Sequence, residues 1–168
     1  MDKKLEDIFL EALEESQQKL LRICSVYAKD ADDTKDLFQE VLVNIWRSMP
    51  NFKGNSSMGT WMYRITLNVC LRMRSKEIKL QKKVIRLDSI TIGNLKSPHV
   101  DTEMNEQLIA LRSCIRKLNE ADRAAITLYL EELPYKEISN VLGLKENTVA
   151  VKVKRIKGKL LNCLKQTP

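Results

Sequence analysis

Cys24, Cys70, Cys114, Cys163 and His99 are the side chains of this 168-residue chain best suited to metal or covalent chemistry, and their spacing is wrong for both. No two cysteines form a C-x-x-C pair, and the single histidine follows Pro98 in a polar stretch. A structural zinc needs clustered ligands, and an activated Ser or Cys needs a base within reach. The carboxylates are scattered or lie on helix surfaces, so a nuclease or other DNA enzyme has no acid–base or metal constellation to work with. The expectation is no catalytic residue, no metal and no cofactor, with His99 in a loop. The four cysteines are expected to be reduced, mostly buried thiols acting as small hydrophobes.

The chemistry that the sequence does carry is electrostatic. The net charge is +7, from 29 Lys+Arg and 22 Asp+Glu. Residues 1–40 hold 11 acids and 6 bases, a net of −5. Residues 64–86 hold 8 bases (Arg64, Arg72, Arg74, Lys76, Lys79, Lys82, Lys83, Arg86) and one acid, a net of +7. Residues 145–168 hold 7 bases and one acid, a net of +6. Two separate basic blocks suit a polyanion touched at two places, and the acidic opening segment suits a different partner. Solvated helix faces are the plainer alternative.

The second basic block lies in LPYKEISNVLGLKENTVAVKVKRIKGKL. Ser139, Gly143 and Val149 stand at relative positions 0, 4 and 10. A helix-turn-helix needs a small residue where its helices cross, Gly at the tight turn, and an aliphatic plug from the second helix. Ile138, Leu142, Leu144, Val149 and Val153 supply the apolar contacts. The second helix then exposes Asn147, Ala150, Val151, Lys154 and Arg155, and a basic helix is what entry into a major groove requires. An ordinary αα-hairpin is the alternative; spacing, glycine and charge together favour the DNA-binding form.

These groups must be held by helices. With 5 Gly and 4 Pro, the chain is too poor in turn residues for a β-sandwich or barrel, and 43% hydrophobic content is enough for a core. Leu5, Ile8, Phe9, Ala12 and Leu13 follow helical spacing, which resumes at Leu20, Leu21, Cys24 and Tyr27. Leu37, Phe38, Val41, Leu42, Ile45, Trp46 and Met49 form a second stripe, capped by Asp32 or Asp33 and ended by Pro50. Met58, Trp61, Met62, Ile65 and Val69 form a third, capped by Ser56 or Ser57. Residues 89–104 lose the period and read as a linker. Thr102 is the expected cap of a helix through Leu118, and Asn119 of another ending near Glu132. No apolar run reaches a membrane span of ~18 residues, and MDKKLEDIFLEALEE lacks the layout of a signal peptide, so a cytoplasmic location is expected.

Two surface features stand out on these helices. Asp36, Gln39, Glu40, Val43 and Arg47 share the face opposite the Leu37 stripe, a mix of carboxylate, amide and apolar groups that resembles an interface patch. In residues 52–61, Asn55, Ser56 and Ser57 lie between Phe52 and Trp61. Such a loop suits an unstacked base read by amides and hydroxyls, though both aromatics also suit a core.

These motifs resemble the extracytoplasmic-function (ECF) group of bacterial RNA polymerase sigma factors, over nearly the whole chain. Asp33-Thr34-Lys35-Asp36-Leu37-Phe38-Gln39-Glu40, followed by Val41 to Trp46, is similar to that family's D-x-x-D-L-x-Q-E helix. There the helix binds the coiled coil of the polymerase clamp. The resemblance thus implies core-polymerase contacts at Asp36, Gln39, Glu40, Val43 and Arg47. Thr60-Trp61-Met62-Tyr63-Arg64-Ile65, with Asn68 and Arg72, is similar to the T-W-L-Y-R-I-x-x-N signature for the minus-ten element. It implies DNA contacts at Lys53, Asn55, Ser56, Trp61, Tyr63, Arg64, Asn68 and Arg72, with the loop capturing a flipped non-template base. Leu118 to Leu160 resembles the sigma-4 domain, which implies minus-thirty-five contacts among Asn147, Thr148, Ala150, Val151, Lys152, Lys154, Arg155 and Lys159.

The fold so implied is all-α: a sigma-2-like bundle over 1–88, a flexible linker over 89–104 and a sigma-4-like helix-turn-helix domain over 105–168. The implied partners are the bacterial RNA polymerase core, promoter DNA and an anti-sigma factor, with no small-molecule substrate. Two departures matter. Lys145 stands where many relatives carry Ser or another capping residue, and Ala150 and Val151 stand where they often carry a basic residue and a Ser. Base readers therefore do not transfer directly. Ala150 and Val151 suit thymine methyls and Asn147 suits adenine, while Lys152, Arg155, Lys157 and Lys159 suit phosphates, which position without specifying. The function implied is an alternative sigma factor. A stand-alone helix-turn-helix regulator is the other reading, and it would bind operator DNA tightly without polymerase.

Overall fold

The computed structural model describes the backbone of residues 3–84 and 105–166 and the side chains of 3–76 and 106–166. Among these residues there are seven α-helices and no strand. The expected linker 89–104, with His99 and Thr102, and the side chains of Lys79, Lys82, Lys83 and Arg86 lie outside the described residues.

The first three helices form one bundle. α1 (Lys3–Tyr27) unites the two periodic stretches of the opening segment and buries Phe9, Leu20, Ile23, Cys24 and Tyr27. α2 (Ala31–Ser48) is capped by Asp30, whose side chain accepts from the Asp33 N–H at 2.8 Å. The expected caps Asp32 and Asp33 instead lie in the first turn, where Asp33 accepts from the Lys29 N–H at 2.8 Å. Both acids there favour the positive end of the helix dipole. Pro50 stops α2 through a short 3-10 turn, Met49–Asn51. α3 (Met58–Val84) starts at Ser57, whose hydroxyl accepts from the Thr60 N–H at 3.1 Å. Leu20, Ile23, Val41, Ile45, Met49 and Met62 are fully buried between the three helices. Phe9 closes the top edge-on against Trp46, with ring centroids 5.1 Å apart. Each such aliphatic contributes about 1.5–3 kcal/mol on burial.

The remaining helices form a second bundle: α4 (Asn105–Arg116), α5 (Glu120–Leu130), α6 (Tyr135–Leu142) and α7 (Glu146–Gln166). Asn119 caps α5 by accepting from the Asp122 N–H at 2.8 Å, as expected. α5 runs through the middle, with Asp122 to Leu128 all buried. It ends at Leu130, and Glu132, the expected end, turns the chain with φ 63°. Arg123 is buried although charged, because its guanidinium donates to the carbonyls of Arg116 at 2.6 Å and Leu118 at 2.8 Å and so closes the end of α4. Between α6 and α7, Gly143 has φ 69°, and Ser139 donates its hydroxyl to the Leu144 carbonyl at 2.5 Å. Val149 and Val153 of α7 plug the core beneath Ile138. The helix-turn-helix is present as expected.

The cysteines depart from expectation. Cys114 of α4 and Cys163 of α7 are joined as a disulfide across 49 residues of sequence, with Cα atoms 6.0 Å apart. Linear spacing carries no sign of this pairing, which only helix packing creates. Cys24 and Cys70 are free and buried, and they lie together, with a hydrogen bond from one to the other and burial both pushing the Cys70 thiol up. Closing a loop of that length stabilises by about 2–4 kcal/mol. Reductant is therefore expected to lower the melting temperature of the protein, while Cys163→Ala starts low and does not respond. Equal melting with and without reductant in the parent would show that the bond contributes nothing.

The two bundles touch. Arg22 of α1 pairs with the buried Glu131 at 2.7 Å, and Arg116 donates to the Ala28 carbonyl at 2.9 Å. The first turns of α3 meet α6, where Thr60 donates to the Glu137 carboxylate at 2.7 Å and Arg64 donates to the Asn140 carbonyl.

Candidate nucleic-acid interface

The loop before α3 builds a polar cavity. Asn51, Phe52, Lys53, Asn55, Ser56, Trp61, Arg64 and Asn140 line a space of about 350 Å³. Phe52 and Trp61 stack at a tilt, with ring centroids 5.1 Å apart, and both are half-buried. Amide, hydroxyl and cationic groups line the cavity with them. The cavity brings together Lys53, Asn55, Ser56, Trp61 and Arg64 of the expected DNA-contacting set. Asn68 and Arg72 stand outside it, exposed one and two turns further along the Arg64 face of α3. Tyr63 does not belong to this surface. It is 5% exposed, burial pushes its hydroxyl's pKa up, and a hydrogen bond with Ser16 of α1 partly opposes that. Its side chain points into the helix packing because position 63 falls on the buried face with Met62, Thr66 and Leu67.

On α2, Asp36, Gln39, Val43 and Arg47 are exposed on one continuous face, and Glu40 is half-buried beside them. Glu40 holds the Asn44 amide at 3.2 Å, and the Asn44 carbonyl accepts from Arg72 at 3.2 Å. This face and the basic face of α3 are thereby linked through one side-chain bridge.

On α7, Asn147, Thr148, Val151, Lys152 and Arg155 line a shallow depression. Val151 is 69% exposed and available for a methyl contact. Ala150 is half-buried beside it, and Lys154 is exposed. Lys152, Arg155 and Lys159 reach the buried Asp122 of α5 at 3.1, 2.9 and 3.4 Å. Lys157, expected among the phosphate-contacting bases, is turned elsewhere: its ammonium lies 4.3 Å from the Tyr129 ring centroid, on the opposite side of the helix. Sequence reasoning passed over Asp122, Glu137 and Asn140. An acid before a basic helix carries no signal of its own until α5 is packed against α7.

Among the described residues no group of three His, Cys, Asp or Glu could hold a metal ion, and no helix is long and apolar enough to cross a membrane.

The sequence and the fold are similar to those of known proteins. The family model for Sigma-70 region 2 matches residues 12–78, and that for Sigma-70, region 4 matches residues 108–160. RNA polymerase sigma-H factor of Pseudomonas aeruginosa is 26% identical over 148 residues, covering 83% of this chain and 77% of that protein. ECF RNA polymerase sigma factor SigW of Bacillus subtilis is 24% identical over 159 residues, covering 89% and 85%. Among solved structures, the sigma factor RpoE of Bartonella quintana, in complex with the anti-sigma factor NepR, superposes with a TM-score of 0.69 at 21% identity, covering 99% of this chain and all of that one. CnrH, in complex with the cytosolic domain of CnrY, does so with a TM-score of 0.69 at 18% identity, covering 97% and 91%. With the two family regions in order along a chain whose described residues form only helices, and sigma factors among its relatives, this chain belongs to the sigma-70 family as an RNA polymerase sigma factor of the ECF type.

Proposed function

We propose that this sigma factor acts in the bacterial cytoplasm as a non-catalytic subunit that carries core RNA polymerase to promoters through three surfaces. The exposed face of α2, from Asp36 to Arg47, binds the polymerase core. The cavity between Phe52 and Arg64 takes an unstacked base of the minus-ten element, and Asn68 and Arg72 continue along the same strand. The outer face of α7, from Asn147 to Lys159, reads and grips the minus-thirty-five element. The domain limits proposed are 1–88 and 105–168, and an anti-sigma factor is a further proposed partner. The observation that carries this reading is the pairing of a polar, aromatic-walled cavity in one bundle with a basic helix-turn-helix in the other. One chain thus offers both a single-strand site and a duplex site, as promoter opening demands. Transcription by core polymerase from a randomised promoter library tests it. Enrichment of two spaced elements is expected; tight duplex binding without polymerase and no stimulated transcription would point to a stand-alone regulator.

Positioning and reading should separate on α7. Arg155→Ala is expected to weaken binding to all upstream sequences and flatten the salt dependence by about one unit. Asn147→Ala or Val151→Lys is expected to shift preference at one base by about 1–3 kcal/mol. A minus-thirty-five library transcribed by each holoenzyme checks this. Reshuffled preference from Arg155→Ala alone would reverse the orientation assigned to the helix.

A further inference from the structure

Asp122 lies in the first turn of α5, with its side chain 1% exposed, and faces three cations of the recognition helix. Its Oδ1 accepts from Arg155 at 2.9 Å and lies 3.1 Å from the Lys152 ammonium, and its Oδ2 lies 3.4 Å from that of Lys159. Those positions differ by three and four residues, so the cations occupy one helical face, where like charges repel. The carboxylate is what lets them share it. Lys152, Arg155 and Lys159 nonetheless remain 21%, 47% and 49% exposed. An ammonium has three donors and a guanidinium five, so each retains donors for a second acceptor. Burial alone would push the Asp122 carboxyl's pKa up; hydrogen bonds from Lys152 and Arg155 outweigh it and hold the group charged.

We propose that Asp122 is a positioning residue for upstream promoter binding: it presets Lys152, Arg155 and Lys159 as a fixed phosphate-gripping row and withholds one unit of charge from the DNA. The inference rests on the reading of α7 as the promoter-contacting helix. Fixed side chains lose little freedom on meeting a phosphate, which favours the register that the base contacts demand. Three unrestrained cations would grip any backbone, because affinity for arbitrary sequence follows the number of charges offered. Asp122 thus favours sequence preference at the expense of raw affinity. A purely structural ion pair would need one base, whereas three converge here from the helix that touches DNA.

The test uses holoenzyme containing the full chain, a minus-thirty-five duplex selected from a random library by the parent, and a scrambled duplex of equal length. Asp122→Asn is expected to tighten binding to the scrambled duplex severalfold at low salt, steepen the salt slope by about one unit, and lower the preference for the selected duplex about tenfold. Asp122→Glu should restore most of that preference. A stability defect with slope and preference unchanged would overturn the proposal. Should Asp122→Asn fail to fold, the pair Lys159→Gln and Asp122→Asn/Lys159→Gln differs by the same acid with one cation fewer to crowd. The double variant should show the steeper slope; equal slopes, or failure to fold of the double variant but not of Lys159→Gln, would overturn it. A parent holoenzyme that does not distinguish the selected from the scrambled duplex would instead sink the reading of α7 itself.

Discussion

Affinity for core RNA polymerase should fall about 100-fold or more when Asp36 and Glu40 are both replaced by lysine. The two acids share an exposed face of α2 with Gln39, Val43 and Arg47, and Val43 is 41% exposed. On the proposed reading this face meets the polymerase, and setting a like charge against that partner costs several kcal/mol. Asp36→Lys touches nothing else, so far-ultraviolet circular dichroism should not move. Glu40→Lys carries a local cost as well, because it removes the bond to Asn44 and brings a cation toward Arg72; losing one such bond costs about 1 kcal/mol. Competition against the parent for limiting core polymerase gives the measurement. A folded double variant that competes as well as the parent ends the assignment of this face.

Open-complex formation should drop about 100-fold or more in Asn55→Ala/Trp61→Ala, with initial promoter binding much less affected; base–aromatic stacking alone is worth about 1–3 kcal/mol. Asn55 is exposed at the cavity mouth, and its truncation costs the fold little. Trp61 stacks on Phe52 and is half-buried, so its truncation also opens a gap worth about 3–5 kcal/mol in a full core and less here. Asn55→Ala alone therefore separates reading from folding. Permanganate reactivity of promoter thymines at matched occupancy is the readout. Unchanged reactivity in the double variant would remove base capture from this cavity.

Periodicity with cap and turn residues locates the helices, because amphipathic stripes such as Leu37–Val41–Ile45 and Val149–Val153 are dictated by local spacing. The Asn119 cap and the Gly143 turn were legible for the same reason: each acts within four residues of itself. What escaped was decided between helices. Asp30 rather than Asp32 or Asp33 caps α2, since three neighbouring acids give the same local signal and only the backbone entry angle selects one. The motif places Tyr63 among the DNA contacts, yet its side chain belongs to the packing against α1. The Cys114–Cys163 bond and the Asp122 cluster join residues 49 and 30–37 positions apart, beyond the reach of any periodic argument.

Asn140 of α6 accepts from Arg64, both lining the Phe52–Trp61 cavity, and Glu137 accepts from Thr60 in the same α3–α6 contact. On the proposed reading, a promoter strand and α6 cannot occupy that cavity together. If α6 must first leave, only an open form, parted at that contact, could take DNA. Apparent affinity for the minus-ten strand is scaled by the open fraction, so every tenfold excess of shut molecules raises the apparent dissociation constant about tenfold. The same factor is returned when a partner binds only the open form. If core polymerase held the two bundles apart there, it would raise promoter affinity without adding a single contact to the DNA.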